Sequence, residues 1–174
     1  MKYVLVLFML IATPILAEDK VTEEKTAEKK VAVKEVSIEN SKEVLKYKLE
    51  AVELMNKKRA LWNRPPVTIS KELDKAANDH ANWMALHWMS HTGVNGSRPY
   101  TRVKWAKYPG AFTGEIICVS GSKEGAINMW MGSPPHMSIM MNSGAKHVGI
   151  AYRTSASGQN YWVAVFGRPV AQSN

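Results

Sequence analysis

Two stretches in the first half of the chain carry apolar residues at the three- and four-residue spacing of one helix face. The first predicts an amphipathic helix over 42–62, after Ser41 as N-cap, and its apolar positions are Leu45, Leu49, Val52 and Met55. The second follows Ser70, whose hydroxyl can accept a hydrogen bond as an N-cap, and its stripe contains Leu73, Ala76, Ala77, His80, Met84 and His87. The proline pair in "NRPP" is expected to separate the two helices.

The spacing of apolar residues changes in the second half of the chain. Residues 115–119 form an apolar run that predicts a strand, and Ser122 precedes a further helix that "SPP" is expected to end. The runs "KHVGIAYR" and "QNYWVAVFG" are rich in β-forming residues, and the turn-rich "TSASG" joins them, which predicts a β-hairpin. Helices followed by antiparallel strands predict an α+β domain, layered as a sheet that helices cover.

The amino terminus differs in composition from the rest of the chain. Lys2, an apolar run and the small residue Ala17 have the layout of a secretory signal peptide over 1–17. An uncleaved membrane anchor is the alternative, although a membrane span needs about 20 apolar residues. Residues 18–40 predict a charged, flexible linker, so the folded domain is expected over 41–174. We therefore expect a secreted or periplasmic protein with no stable membrane span after signal cleavage.

The charge is unevenly distributed along the chain. The formal net charge is +8, and residues 18–40 hold five lysines against seven acidic residues, so residues 41–174 carry +9. A basic exported domain can attract an anionic cell-wall polymer or lipid head groups, although solubility alone would also account for the charge. Export argues against nucleic acid as a partner. The single cysteine, Cys118, excludes an intramolecular disulfide and is expected to be a packed small hydrophobe within "EIICV".

Three residues are candidates for a functional site. His91 opens a glycine-rich loop, and His136 follows two prolines that restrict the backbone, so a loop is expected to present His136 at little entropic cost. Glu115 begins a buried strand, where a carboxylate is costly unless it is paired. Two imidazoles and one carboxylate suit zinc with an open fourth position. The spacings of 24 and 21 residues also leave separate structural roles open.

The other histidines have less specific interpretations. His80 and His87 are seven residues apart on the second helix and share its apolar face. They could form a metal pair, but a buried and hydrogen-bonded role in the core is favoured for both. His147 lies in a predicted strand with no acidic residue near it, and we assign it no function.

Several segments occur in the order typical of one protein superfamily. They are "SHTGVNGSRPYTRVKWAKYP", "GEII", "MWMGSPPHMSIMM", "HVGIAY" and "YWVAVFG". The sequence resembles the bacterial branch of the CAP superfamily, which comprises the cysteine-rich secretory, antigen 5 and pathogenesis-related 1 proteins and is also called the SCP domain. The resemblance covers residues 44–167. It implies a three-layer αβα sandwich in which helices flank an antiparallel sheet.

The same resemblance implies a central cleft that holds two histidines and two acidic residues. His91 matches the first histidine, Glu115 the first acid and His136 the second histidine. The second acid has no counterpart, because the helix before His136 reads "AINMWMGSPPH". Ile116 stands where an asparagine is usual, and Met137 stands where bacterial relatives often have arginine. These departures weaken the expectation of ordinary metal affinity and leave the expected fold unchanged.

Three functions follow from these observations. The first is a non-catalytic exported binding module for a lipid, a cell-wall polymer or an extracellular protein, with a cleft that could hold zinc or another divalent cation. The second is a metal-dependent hydrolase of cell-wall or peptide substrates, in which Ser90 or Ser133 hydrogen-bonds a metal-bound water. The third is a purely structural network. The sequence has no HExxH motif, no spare carboxylate base and no nucleophile elbow at Ser133, so no catalytic residue is assigned and the binding module is favoured.

Overall fold

The computed structural model describes residues 42–170, so the predicted signal peptide and the predicted linker lie outside the described residues. Residues from Leu45 onward belong to one compact unit. In chain order its elements are α1 over 42–61, β1 Thr68–Ile69, α2 Lys71–Leu86, a 3-10 turn Val94–Gly96, α3 Pro99–Trp105, β2 Gly110–Val119, α4 Lys123–Gly132, α5 Pro134–Met140, β3 His147–Thr154 and β4 Asn160–Pro169.

The four strands form one sheet in the order β1-β3-β4-β2. Strands β3 and β4 are antiparallel and pair from Thr154 with Asn160 to His147 with Gly167, which confirms the predicted hairpin. Strand β2 pairs antiparallel with the other edge of β4. The two-residue strand β1 adds a parallel pair with β3 that the sequence did not predict, because two residues are too few to carry an alternating pattern.

Helices cover both faces of the sheet, as the period-two alternation of β4 requires. Trp162, Ala164 and Phe166 pack into one core with α1, α4 and α5. Tyr161 and Val163, which point to the opposite face, pack into a second core with α2 and α3. The predicted α+β fold, a three-layer αβα sandwich, is confirmed. None of the helices within residues 42–170 has the length and hydropathy of a membrane span.

The segment around His136 is helical, and the predicted loop is wrong. Pro134 begins α5 directly after Ser133, which ends α4. Proline has the backbone angle of the first helical turn and lacks an N–H that would have no partner there, so a proline pair can begin a helix as well as end one. The preceding helix thus ends where expected, and a second helix follows it at once. His136 lies in the first turn of α5.

The two histidines of α2 differ in environment. His80 is 1% exposed and bonds to the backbone, as predicted. His87 is exposed, so its predicted place in the core is wrong. The helix ends at Leu86, and His87 stacks on Trp83 with ring centroids 4.6 Å apart. Cys118 is buried as expected, and burial raises the pKa of its thiol to about 12, which keeps it protonated and inert at neutral pH.

Arg59 joins the end of α1 to the chain that follows α5. Its side chain is fully buried and donates hydrogen bonds to the backbone carbonyls of Pro65, Met140, Asn142 and Ala145. The positive charge is therefore surrounded by carbonyl oxygens, which compensate for its removal from water. This bonding fixes the end of α5, the helix that carries His136.

Strand β3 and helix α2 approach so closely at Gly149 that no side chain fits between them. A Cβ atom there would overlap the backbone of Leu73 and Asp74. We expect Gly149→Ala to lower the free energy of unfolding by about 3 kcal/mol, because helix and sheet must separate. Gly132→Ala is the control, since a Cβ at Gly132 meets no atom within 4 Å and this substitution should be neutral or slightly stabilising. Urea denaturation measures both, and equal midpoints would contradict the close approach.

Candidate functional site

The site is built around the buried carboxylate of Glu115 in β2. Its side chain is 1% exposed and accepts hydrogen bonds on both oxygens from Arg102 Nη2, at 2.9 and 2.8 Å. Oε1 also lies 2.9 Å from His91 Nδ1. The pairing that the sequence required for a carboxylate in this strand is therefore supplied by a cation and an imidazole.

Arg102 reaches the site from α3 and is itself buried. Its Nη1 donates to the carbonyl of Ser97 at 2.8 Å and to the carbonyl of His91 at 3.1 Å, and Nη2 donates to the same His91 carbonyl at 3.1 Å. One guanidinium thus fixes both the carboxylate and the loop that carries His91. The sequence analysis did not assign Arg102. The signal that could have found it is the need of a buried carboxylate for a cation.

His91 is the part of this network that meets solvent. Its side chain is 44% exposed, although Nδ1 is held by Glu115. The geometry assigns the Nδ1 proton to the bond with the carboxylate, so Nε2 is left with a lone pair. A carboxylate bonded to one nitrogen of an imidazole fixes the orientation of the ring. His91 is therefore prepared to bind a hydrogen-bond donor or a cation.

His80 and Ser90 stabilise the backbone next to the network of Arg102, Glu115 and His91. His80 Nε2 donates to the Ser90 carbonyl at 2.7 Å and lies 3.8 Å from Glu115 Oε1. The Ser90 hydroxyl accepts a hydrogen bond from the backbone N–H of Thr92 at 3.0 Å, so it stabilises the turn that leads into the His91 loop. Ser90 thus acts on the site through its backbone carbonyl and this turn.

His136 approaches the site from α5, on the other side of β2. Burial lowers the pKa of His136, and repulsion between the two imidazolium rings, when His91 is also protonated, lowers it further. A side chain at Gly114, beside Glu115, would collide with Ile139 of α5, so the glycine permits the close packing of this helix on β2. Ser133 lies at the junction of α4 and α5, and its carbonyl accepts the N–H of Met137 at 2.8 Å. The structure brings His91 and Glu115 into contact, and His136 lies close enough to His91 for the two rings to interact electrostatically.

The sequence analysis named His91, Glu115 and His136 as candidate ligands of a divalent metal. Within residues 42–170, no three His, Cys, Asp or Glu side chains are arranged as a metal site. Both oxygens of Glu115 bond to the Arg102 guanidinium, whose positive charge opposes a cation at that carboxylate. Nitrogen donors of His91 and His136 would hold zinc, and Glu115 would orient His91 from behind.

The Arg102–Glu115 pair predicts a specific pattern of stability. Arg102→Met leaves a buried carboxylate without its cation and should lower the free energy of unfolding by about 3–5 kcal/mol. Adding Glu115→Gln removes the unpaired charge, so we expect the double variant to be more stable than Arg102→Met by about 2 kcal/mol. Urea denaturation of both variants measures the difference. A double variant no more stable than Arg102→Met would show that the charge pair is not what the site depends on.

A second prediction concerns pH. Burial is the largest influence on the pKa of His80 and lowers it from 6.5, although Glu115 acts in the opposite direction. A lowered folded pKa favours the unfolded state when His80 is protonated. Its contribution to stability is therefore complete above about pH 6.5 and is lost as the pH falls through the folded pKa. His80→Asn keeps an amide donor but cannot titrate.

Urea denaturation between about pH 5 and pH 8 should show a steeper loss of stability on acidification in the wild type than in His80→Asn. Parallel profiles of the two proteins would exclude His80 as a source of the acid sensitivity. The comparison is made on slopes, so a constant offset from the lost imidazole contacts does not affect it.

Comparisons with known proteins place the chain in a family. The cysteine-rich secretory protein family, CAP, matches residues 52–166. No curated protein matches the chain. Among solved structures, an outer surface protein from Borrelia burgdorferi is 22% identical with a TM-score of 0.63, and the alignment covers 71% of this chain and 92% of that one.

Two further bacterial structures share the fold. An extracellular protein containing an SCP domain, from Bacillus anthracis, is 19% identical with a TM-score of 0.60. A cysteine-rich secretory protein from Staphylococcus aureus is 16% identical with a TM-score of 0.52. Each alignment covers 69% of this chain, but only 39% and 38% of those longer proteins. At these identities the structures show a common fold, and the family match shows membership. The chain therefore belongs to the cysteine-rich secretory protein family, the CAP family.

Proposed function

We propose that this CAP domain is an exported, non-catalytic binding module whose ligand contacts His91 and His136. The observation that supports the proposal is the chain of contacts from Arg102 through Glu115 to His91, which ends in a partly exposed imidazole ring. Such a chain orients a binding group before the ligand arrives and so lowers the entropic cost of binding. The ligand classes are a lipid, a cell-wall polymer or an extracellular protein. Two proteins of similar structure, an outer surface protein and an extracellular protein, favour export of this chain.

We also propose a divalent metal, zinc above all, as a component of this binding site. The two imidazoles are its protein ligands, and Glu115 holds His91 in the required orientation. When bound, the metal would supply a positive centre for a phosphate, carboxylate or carbonyl oxygen of the ligand. Both cleft histidines must be neutral to bind it, and the lowered pKa of His136 favours the neutral form near pH 7.

Hydrolysis is the alternative that the site supports less well. A hydrolase needs a base within reach of the attacking water. Glu115 is almost completely buried and both of its oxygens bond to Arg102, so they are engaged within the protein. Ser133 marks the junction of two helices, and its backbone carbonyl bonds within α5. Because these roles are structural, we propose that the site binds a ligand and does not catalyse a reaction.

The test compares residues 18–174 of the wild type with His91→Ala, His136→Ala and Glu115→Gln in zinc titrations by calorimetry. We expect binding to be lost in both alanine variants and weakened about 10–100-fold in Glu115→Gln, because the amide no longer orients His91 as the carboxylate does. His87→Ala is the matched control, since His87 is exposed and stacks on Trp83.

The same proteins are then incubated with extracted lipids and with cell-wall polymer, and the retained material is measured with and without zinc. Retention by the wild type and by His87→Ala, but not by His91→Ala or His136→Ala, is the expected result. Equal retention by all four proteins would exclude the cleft histidines as the binding site. Zinc-dependent turnover of wall fragments or peptides would instead establish the hydrolase.

A further inference from the structure

A second surface of the domain exposes large apolar side chains at the ends of α2 and α3. Apolar side chains in water are common when single, but a contiguous group indicates a surface that contacts something. We call this group the aromatic face, and its members are Leu86, Trp88, Met89, Val94, Tyr100 and Trp105, which are 45–82% exposed.

Trp83 connects three members of the aromatic face, namely Trp88, Val94 and Trp105. It packs edge-on against Trp88, with ring centroids 5.4 Å apart. Together with Val94 and Trp105 it lines a cavity of about 60 Å³ between α2 and α3. Tyr100 lies on α3, the same seven-residue helix as Trp105. The end of one helix, the following loop and the next helix thus contribute neighbouring side chains.

The charges around the aromatic face are mainly positive, and Asp79 is the one acidic side chain that lines its cavity. The sequence contains no aspartate or glutamate between Asp79 and Glu115. Within that interval Arg98, Lys104 and Lys107 are exposed. The acids at both limits are already paired, Asp79 with Lys75 at 2.7 Å and Glu115 with Arg102. The aromatic face is therefore bordered by three basic side chains that have no acidic neighbour within this stretch of sequence.

We propose that the aromatic face docks the domain on an anionic phospholipid bilayer. Tryptophan and tyrosine have apolar rings with one polar atom, which suits the level of the lipid head groups. Lysine and arginine at the same surface pair with lipid phosphates and gain from the negative surface potential. The proposal uses no cleft residue and so stands apart from the proposed function.

The combination of residues favours a bilayer over a protein partner. Protein interfaces are enriched in tryptophan, tyrosine and arginine but depleted in lysine. The aromatic face has Lys104 and Lys107 beside Trp105, and long lysine stems can cover apolar surface while their ammonium groups stay at the head-group level. The net charge of +9 on residues 41–174 adds a long-range attraction to an anionic membrane.

The experiment uses residues 18–174, which contain the compact unit Leu45–Asn174 and lack the apolar leader that would bind vesicles by itself. The protein is sedimented with vesicles of phosphatidylcholine and phosphatidylglycerol, and with vesicles of phosphatidylcholine alone. We expect binding to the anionic vesicles that weakens as salt rises, and much weaker binding to the neutral vesicles. Circular dichroism verifies that each variant is folded.

Substitutions on the aromatic face separate its two contributions. Lys104→Gln with Lys107→Gln should lower the partition coefficient about 30-fold, since each basic side chain near an anionic surface contributes roughly a five-fold gain. Trp88→Ala with Trp105→Ala should weaken binding and reduce the quenching of tryptophan fluorescence by brominated lipids. The matched controls are Lys46→Gln with Lys146→Gln and, for the tryptophans, Trp62→Ala, which alter exposed residues outside the aromatic face.

The outcomes are distinct from those of the cleft experiments. Unchanged vesicle binding by His91→Ala and His136→Ala supports a separate membrane surface. Failure of the wild type to bind anionic vesicles overturns the proposal, and so does equal weakening by the control substitutions. Neither of these negative results bears on ligand binding in the cleft, which the variants His91→Ala and His136→Ala test separately.

Discussion

The architecture of the site depends on the ion pair between Arg102 and Glu115. A carboxylate within the central sheet is removed from water, and a cation with hydrogen-bonding capacity is the partner that compensates best for that loss. Arg102 Nη2 donates to Glu115, and Nη1 donates to the backbone carbonyls of His91 and Ser97 in the loop over 91–97. The Arg102 side chain therefore both neutralises the buried carboxylate and fixes the loop. The orientation of His91 is a consequence of this pairing.

The packing around the ion pair leaves little freedom for its neighbours. A Cβ atom at Gly93 would lie 2.9 Å from His80 Nδ1 and 3.1 Å from Arg102 Nη1. The loop backbone can therefore reach the guanidinium only because position 93 has no side chain. On the other side of Glu115, Gly114 admits Ile139 of α5. Two glycines thus allow the loop and the helix, which carry the two cleft histidines, to approach one carboxylate.

The sequence predicted the parts of this structure that depend on periodic burial. The spacing of apolar residues located α1 and α2, and the change of period located the hairpin, because each of these elements buries part of a repeated face. In α1 that part is Val52 and Met55, whereas Leu45 and Leu49 of the predicted stripe are exposed. The structure also unites His91 with Glu115, two of the three residues chosen for their chemistry. Arg102 was not found, because an arginine that is buried looks the same in sequence as one on the surface.

Sequence rules for helix ends gave wrong predictions where two of them compete. Proline can end a helix or begin one, and only the packing of α5 on β2 and α4 decides between them at Pro134. His87 continues the apolar stripe of α2 by spacing, but the helix ends one residue earlier, so the periodicity no longer determines where the side chain points. Both errors lie at helix termini, where tertiary contacts outweigh periodicity.

One segment, from the end of α2 to the end of α3, carries both candidate functions of the domain. Its inward side chains, Arg102 and the Nδ1 side of His91, complete the charge network of the cleft. Its outward side chains, Trp88 and Trp105 among them, form the aromatic face. Arg102 and Trp105 are three residues apart and so lie on the same side of α3, where both line one cavity. The helix that neutralises the buried carboxylate thus also exposes a tryptophan. The network that orients His91 and the proposed membrane surface therefore share one short helix while using different side chains of it.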